Sequence, residues 1–404
     1  MEKIKFKIRE EKQGALLFDQ EKGSVKQLDE KQYQDFLKKN TSSIRLFKSS
    51  IQRKQLPADC LSAPSKVYFE LTRKCNLNCK YCYNKSSFAF SKELSKEKIF
   101  SVLNELAQAG TFEIRFTGGE PTLHKDFFEI LAYAESLGFF VSLGTNGVWN
   151  QKTINQIKSS NIKIIIISLD GPKEYNDSIR GEGTFDRVIE TLKQLREKKD
   201  LFLKINCVLT KNNKKYLEEV VKIAVSLGVN VVNFVPVKLA GRGNMDKIDS
   251  LSKEDMFMIV AEITNLRKKY NLKIQTYFDI LDECECSSGS LLNQKACGAG
   301  IEVAAISPFG EVYGCVVSPA SELEDSEAKK MFTAGNLDQD NIMKIWLDSS
   351  RWIFRDLTKS KCEKCLKCEF YTKKCFGNCI VDSYLQNGQI NSADPNCFMN
   401  LIEV

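Results

Sequence analysis

Between Lys66 and Val237 short apolar runs alternate with amphipathic stretches. The runs KVYFELT (66–72), FEIRFT (112–117), FFVSLGT (139–145), KIIIISL (163–169), LFLKINCVL (201–209) and NVVNFVPV (230–237) are rich in β-branched and aromatic residues and predict strands. The stretches between them, among them SKEKIFSVLNELAQAG, DFFEILAYAESLG, TFDRVIETLKQLRE and KYLEEVVKIAVSLG, repeat their apolar positions at helical spacing. Several end at Gly, where a helix C-cap belongs. Six strands with helices between them imply a parallel sheet, either an open doubly wound sheet or a curved partial barrel. Such sheets bind ligands at the carboxyl ends of their strands.

Patterning divides the rest of the chain. Residues 1–62 predict a hairpin, KFKIRE with GALLFD, then EKGSVKQL and a short helix, DEKQYQDFLKK. The strand–helix region is placed at 63–248. A helix and connector, beginning SKEDMFMIVAEITNLRKKY, is placed at 249–290. The last region, 291–404, is irregular and carries eight cysteines.

Composition narrows the function. The 404 residues are 43% hydrophobic and 27% charged, a balance for a globular fold with a sizeable core. Net charge is +7, yet Lys and Glu interleave, as in LREKKDLFLK (195–204), which predicts a solvated surface rather than a nucleic-acid face. No apolar run is long enough to span a bilayer and MEKIKFKIREEK is not a secretory signal, so the expected location is the cytoplasm. There are fifteen cysteines and one histidine, His124. In that setting thiols in such number indicate metal or catalysis, and metal bound in quantity is bound through sulfur.

The segment TRKCNLNCKYCY puts Cys75, Cys79 and Cys82 in a CxxxCxxC spacing after the first strand of the alternation, with Tyr81 beside the last thiol. Three thiolates fill three corners of a four-iron cluster and leave one iron open; half a zinc site is the alternative. GGEP (Gly118, Gly119, Glu120, Pro121) ends the second strand, where glycines admit a close ligand and Glu120 offers an acceptor to an amino group. Together these motifs resemble the radical S-adenosylmethionine (SAM) superfamily. The resemblance implies a partial (β/α)6 barrel core, with GGEP at the methionine end of SAM. It also implies SAM contacts from Asn146 in GTNG, Ser168 in SLDG and Arg180 in SIRG, with Asn206 and the backbone near Val235 toward the ribose and adenine. His124 is expected to fix its loop.

Farther on, Cys297 and Cys315 bracket an internal Gly310, and Cys362, Cys365, Cys368, Cys375, Cys379 and Cys397 follow. This series resembles the SPASM extension of radical SAM enzymes, with six residues between Cys368 and Cys375 where that family usually has five. The resemblance implies two auxiliary four-iron clusters, three in all. One would be held by Cys297, Cys315 and Cys379 with Cys362 as fourth ligand, Cys284 or Cys286 competing for that place. The other would take Cys365, Cys368, Cys375 and Cys397. Structural zinc is the alternative. Cys60 and Cys207 read as ordinary residues.

SPASM-bearing relatives mostly modify peptides, which implies a peptide or protein substrate undergoing crosslinking, epimerisation or oxidation, and a flavodoxin- or ferredoxin-type electron donor. The N-terminal hairpin and helix faintly resemble the start of a leader-peptide-binding domain; a plain cap on the sheet is the alternative. Sulfatase maturases place an Asp after the second cysteine of the first auxiliary pair; here Val316 follows Cys315. A tetrapyrrole maturase and a non-catalytic iron–sulfur or zinc scaffold are the competing readings. No residue is singled out as the catalytic base.

Overall fold

The computed structural model describes residues 4–39, 44–47, 56–90, 92–244, 250–276, 297–318, 326–356, 362–368, 379–395 and 397. Strands β1 (Phe6–Glu10), β2 (Ala15–Asp19) and β3 (Ser24–Leu28) form an antiparallel meander. Helix α1 (Glu30–Lys39) leads to β4 (Ile44–Phe47), which pairs parallel to β1. The predicted hairpin is therefore part of a four-stranded sheet, in the order β3-β2-β1-β4.

The alternating region follows. It comprises β5 (Lys66–Thr72), α2 (Lys96–Gln108), β6 (Glu113–Gly118), α3 (Phe127–Ser136), β7 (Phe140–Thr145), α4 (Gln151–Ser159) and β8 (Ile164–Ser168). It continues through α5 (Lys173–Arg180), α6 (Thr184–Leu195), β9 (Phe202–Leu209), α7 (Leu217–Ser226), β10 (Val231–Pro236), α8 (Lys253–Lys269) and β11 (Lys273–Thr276). All six expected strands form, and β11 is a seventh. Its four residues, KIQT, are too short and too polar to stand out as an alternation, and it falls where only a helix and connector were expected.

Strands β5 to β11 lie side by side in chain order. Right-handed crossovers that always step the same way keep every helix on one face, as in a barrel wall and unlike a doubly wound sheet. The free edge of β5 is taken by β12 (Val303–Ile306), parallel, followed by antiparallel β13 (Glu311–Tyr313) and β14 (Thr333–Asn336). Among the described residues the sheet does not close. Among the described residues the C-terminal region also holds short helices: α9 (Ser326–Phe332), α10 (Ile342–Leu347), α11 (Glu363–Leu366) and α12 (Ile380–Asn387).

Alternation along each strand sorts the two faces. Val67, Phe69, Ile114, Phe116, Val141, Leu143, Ile165, Ile167, Leu203, Ile205, Val232 and Phe234 enter the helix-side core. The opposite face carries a polar ladder in which Glu113 Oε1 accepts from Lys66 at 2.8 Å, Arg115 at 3.3 Å and Ser142 at 2.6 Å.

The N-terminal sheet plugs the amino ends of these strands. Phe18 stacks on Phe112 at 5.1 Å and meets Phe140 edge-on at 5.5 Å. Cations complete the contact: Arg9 donates to Gly110 O at 3.1 Å, Arg45 to Leu137 O at 3.4 Å, and Lys7 to Gly138 O. These carbonyls end α2 and α3, where helix dipoles favour positive charge. The carboxyl ends of the strands are thereby left as the working end.

Candidate active site

The three-cysteine loop leaves β5 alongside GGEP, because Thr72 stands opposite Gly118 in the β5–β6 register. Gly119 N–H donates to Thr72 O at 2.8 Å and Glu120 N–H to Lys74 O at 2.8 Å. A Cβ on Gly119 would lie 2.2 Å from Lys74 O, so the glycine is needed for the loop itself to seat. From the far end of β10, Arg242 N–H donates to Cys82 O at 2.9 Å and Arg242 Nε to Cys79 O at 2.7 Å. Gly241, with φ +62°, makes that approach possible, since a Cβ there would lie 2.3 Å from Cys82 O. Sequence reasoning missed this Gly–Arg pair; its one signal was glycine beside arginine just past a strand.

Burial pushes the Cys75 thiol up to about 12, and the charges of Glu120, Cys79 and Cys82 push the same way. Burial also raises Cys79, against the pull of Arg180, whose Nη1 lies 3.9 Å from its sulfur. Asn146 Nδ2 is 3.7 Å from Cys75 Sγ. None of these thiols is in a disulfide. Crowded thiols, Cys75 buried and Cys79 and Cys82 half-buried, with donors aimed at two of the sulfurs, fit a metal centre that replaces their protons. Cys75, Cys79 and Cys82 would hold it.

Of the other expected residues, Glu120, Asn146 and Arg180 are brought against the loop. Glu120 is fully buried; its carboxylate accepts from Thr122 Oγ1 at 2.7 Å, Trp149 Nε1 at 3.1 Å, Thr145 Oγ1 at 2.7 Å and Asn146 N–H at 2.9 Å. It clamps the GGEP turn to the GTNG turn, and the acceptor expected to be open to a ligand is already engaged. Asn146 Nδ2 also reaches Asn76 at 2.7 Å. Pro121 opens a single 3₁₀ turn that ends at His124. His124 Nδ1 accepts from Asp126 N–H at 3.2 Å, and its Nε2 is 3.7 Å from Glu93, the loop-fixing place expected of it.

Arg180, at the end of α5, pairs with buried Asp170 and donates to Tyr81 at 2.9 Å. Tyr81 donates to the same Asp170 oxygen. Ser168 stands opposite Asn206 in the β8–β9 register, and Asn206 accepts from Asn233 at 2.7 Å.

In the C-terminal region Cys297, Cys315 and Cys379 are drawn together. Burial pushes Cys315 up to about 12 and the charge of Cys297 adds to it; Cys379, raised by burial, also feels Cys315. Lys238, ion-paired to Asp382, pulls all three down. Cys362 precedes α11 as its N-cap residue and Cys365 sits on it, with Cys368 N–H bonded to Cys365 O at 3.0 Å. Asp394 accepts from Cys379 N–H at 3.0 Å and from Cys397 N–H at 2.9 Å. Cys375, Cys284 and Cys286 lie outside the described residues. Cys60 and Cys207 lie in the main core.

The radical SAM superfamily model matches residues 69–234, and the SPASM iron–sulfur cluster-binding domain matches residues 297–369. This chain is a radical SAM protein with a SPASM domain. The mycofactocin maturase MftC of Mycobacterium tuberculosis (strain CDC 1551 / Oshkosh) is 29% identical over 341 residues, 83% of each chain. Fe-coproporphyrin III synthase of Methanosarcina barkeri is 27% identical over 357 residues, 84% of this chain and 88% of that one. The fold of this radical SAM protein matches Streptococcus suis SuiB, solved bound to its precursor peptide SuiA. The TM-score is 0.75 at 18% identity, over 98% of this chain and all of that one.

In such a protein the cluster and SAM together supply a carbon-centred radical. The chain's part would be to seat them: the loop is closed by Gly119, Gly241 and Arg242, Arg180 and Asn146 lie against two of its sulfurs, and β12 pairs with β5, the strand from which the loop leaves. Among the described residues no helix is long and apolar enough to cross a membrane.

Proposed function

We propose that this protein reductively cleaves SAM and abstracts hydrogen from a ribosomally made peptide during its maturation. The observation that carries the radical chemistry is the GGEP turn bonded onto the three-cysteine loop through Lys74 O. The peptide reading is supported by the N-terminal four-stranded sheet, since the likeness to peptide-bound SuiB extends over 98% of the chain. Three clusters serve it, the third and second in the SPASM domain, with a flavodoxin- or ferredoxin-type donor in the cytoplasm. Val316, following Cys315, speaks against formylglycine formation.

The test uses anaerobically reconstituted full-length protein, SAM and dithionite, with synthetic peptides copied from whatever short open reading frames a search of the neighbouring genes finds. The expected result is 5′-deoxyadenosine together with a mass change in the peptide. Turnover of iron coproporphyrin instead would transfer the assignment to tetrapyrrole maturation, the reading kept alive by the Methanosarcina relative. Absence of 5′-deoxyadenosine would leave the scaffold reading. Iron analysis checks the clusters: about twelve irons per chain, and about eight when Cys75, Cys79 and Cys82 are all replaced by Ala.

A further inference from the structure

The buried carboxylates around the three-cysteine loop are supplied with donors, with one exception. Glu120 has five, the four above and Thr122 N–H at 3.4 Å. Asp170 accepts from Arg180, Tyr81 and, at 2.9 Å, Val208 N–H. Glu93 takes the Thr72 hydroxyl at 2.5 Å and Lys74 at 3.3 Å. Glu70, on β5, accepts from Asn84 Nδ2 at Oε1, while its Oε2 is buried without a hydrogen-bond partner. A buried acceptor left unmet is costly, and its presence in a folded protein points to a donor that arrives with a ligand.

The position of Glu70 says which ligand group. It stands opposite Thr117 in the β5–β6 register, one residue before GGEP. The Cβ that Gly118 lacks would lie 3.3 Å from Glu70 Cγ. On its other side Asn84 is two residues past Cys82. The carboxylate is thus held between the first glycine of GGEP and the cysteine loop, where the methionine end of SAM belongs on the reading proposed above. Burial pushes Glu70 up to about 7, against the pull of Arg73 and Asn84, and Glu311 on β13 adds to the push; Tyr83 also feels its charge. An amino donor would relieve both the unmet oxygen and the cost of ionising it.

We propose that Glu70, rather than Glu120, accepts the hydrogen bond from the amino group of SAM. The assignment rests on the radical SAM reading of the site and adds the residue that recognises the amino end. Glu120 is then the clamp between two turns.

The experiment measures binding without turnover. Full-length reconstituted wild type, Glu70→Gln and Glu70→Asp are titrated with SAM and with its deamino analogue. Affinity is followed by calorimetry, and the reduced N-proximal cluster by electron paramagnetic resonance. Glu70→Gln is expected to weaken SAM by about tenfold or more, the weight of one charge-assisted hydrogen bond. It should leave the deamino analogue unchanged, and Glu70→Asp should recover part of the loss. An equal loss for both ligands, or no loss for either, overturns the assignment. If Glu70→Gln fails to take up iron, Glu70→Asp carries the comparison alone: a loss confined to SAM supports the assignment, and a loss shared by both ligands overturns it. Failure of wild type to bind SAM would instead remove the reading of the whole site, and the role of Glu70 with it.

Discussion

Arg180 is ion-paired to Asp170 inside the wall of the cysteine loop, and both side chains are buried. The same guanidinium touches Tyr81 and the Cys79 sulfur. Asp170→Asn would leave a buried cation without its counter-charge, a loss of about 3–5 kcal/mol. Denaturant unfolding of Asp170→Asn against Asp170→Asn/Arg180→Met checks this, and the double variant is expected to be the more stable of the two.

Gly119→Ala would set a Cβ 2.2 Å from Lys74 O, a backbone atom that cannot move without the loop. Iron content is expected to fall by up to about four per chain. Gly183→Ala is the comparison: φ there is +73° but nothing lies within 4 Å. That change should cost about 1–2 kcal/mol through backbone strain and leave the iron count intact.

Phe18→Ala removes the ring that stacks on Phe112 and meets Phe140. The expected cost is about 3–5 kcal/mol. Because the loss falls at the contact between the two sheets, limited proteolysis should cleave the N-terminal sheet before the core in this variant and not in wild type.

Lys7 is buried beside Arg45, and burial first, then that neighbouring charge, lowers its pKa from 10.5 to about 8. The folded state therefore releases this proton at lower pH than the unfolded chain. Between about pH 8 and 10.5 the unfolded chain binds the extra proton, so stability rises with pH across that window, by roughly 3 kcal/mol at most. Lys7→Met should flatten the rise, as read by denaturant unfolding at pH 7.5 and 9.5.

Much of this was legible because it is local. Apolar alternation in FEIRFT or KIIIISL shows which side chains enter the core, whatever the neighbouring strand. Cys75, Cys79, Cys82 and GGEP could be placed at strand ends from the same pattern. What escaped was of another kind. β11 is four residues long and three of them are polar, so its pairing with β10 supplies what its own pattern lacks. Arg242 reaches the cysteine loop from 160 residues downstream of Cys82, and no local spacing announces it.

The amino-acid order by itself determined the six strands of the central alternation, the face each of them buries, and the thiols and glycines able to meet at their carboxyl ends, since these follow from period and residue type. The folded chain alone decided which acceptors were already taken. Glu120 and Glu70 are both glutamates at a strand end. Crossover packing brings Thr145, Asn146 and Trp149 onto the first, and only Asn84 onto the second. Hydrogen-bond supply in a buried site depends on which distant segments arrive there, and that is a property of three-dimensional packing rather than of neighbouring residues.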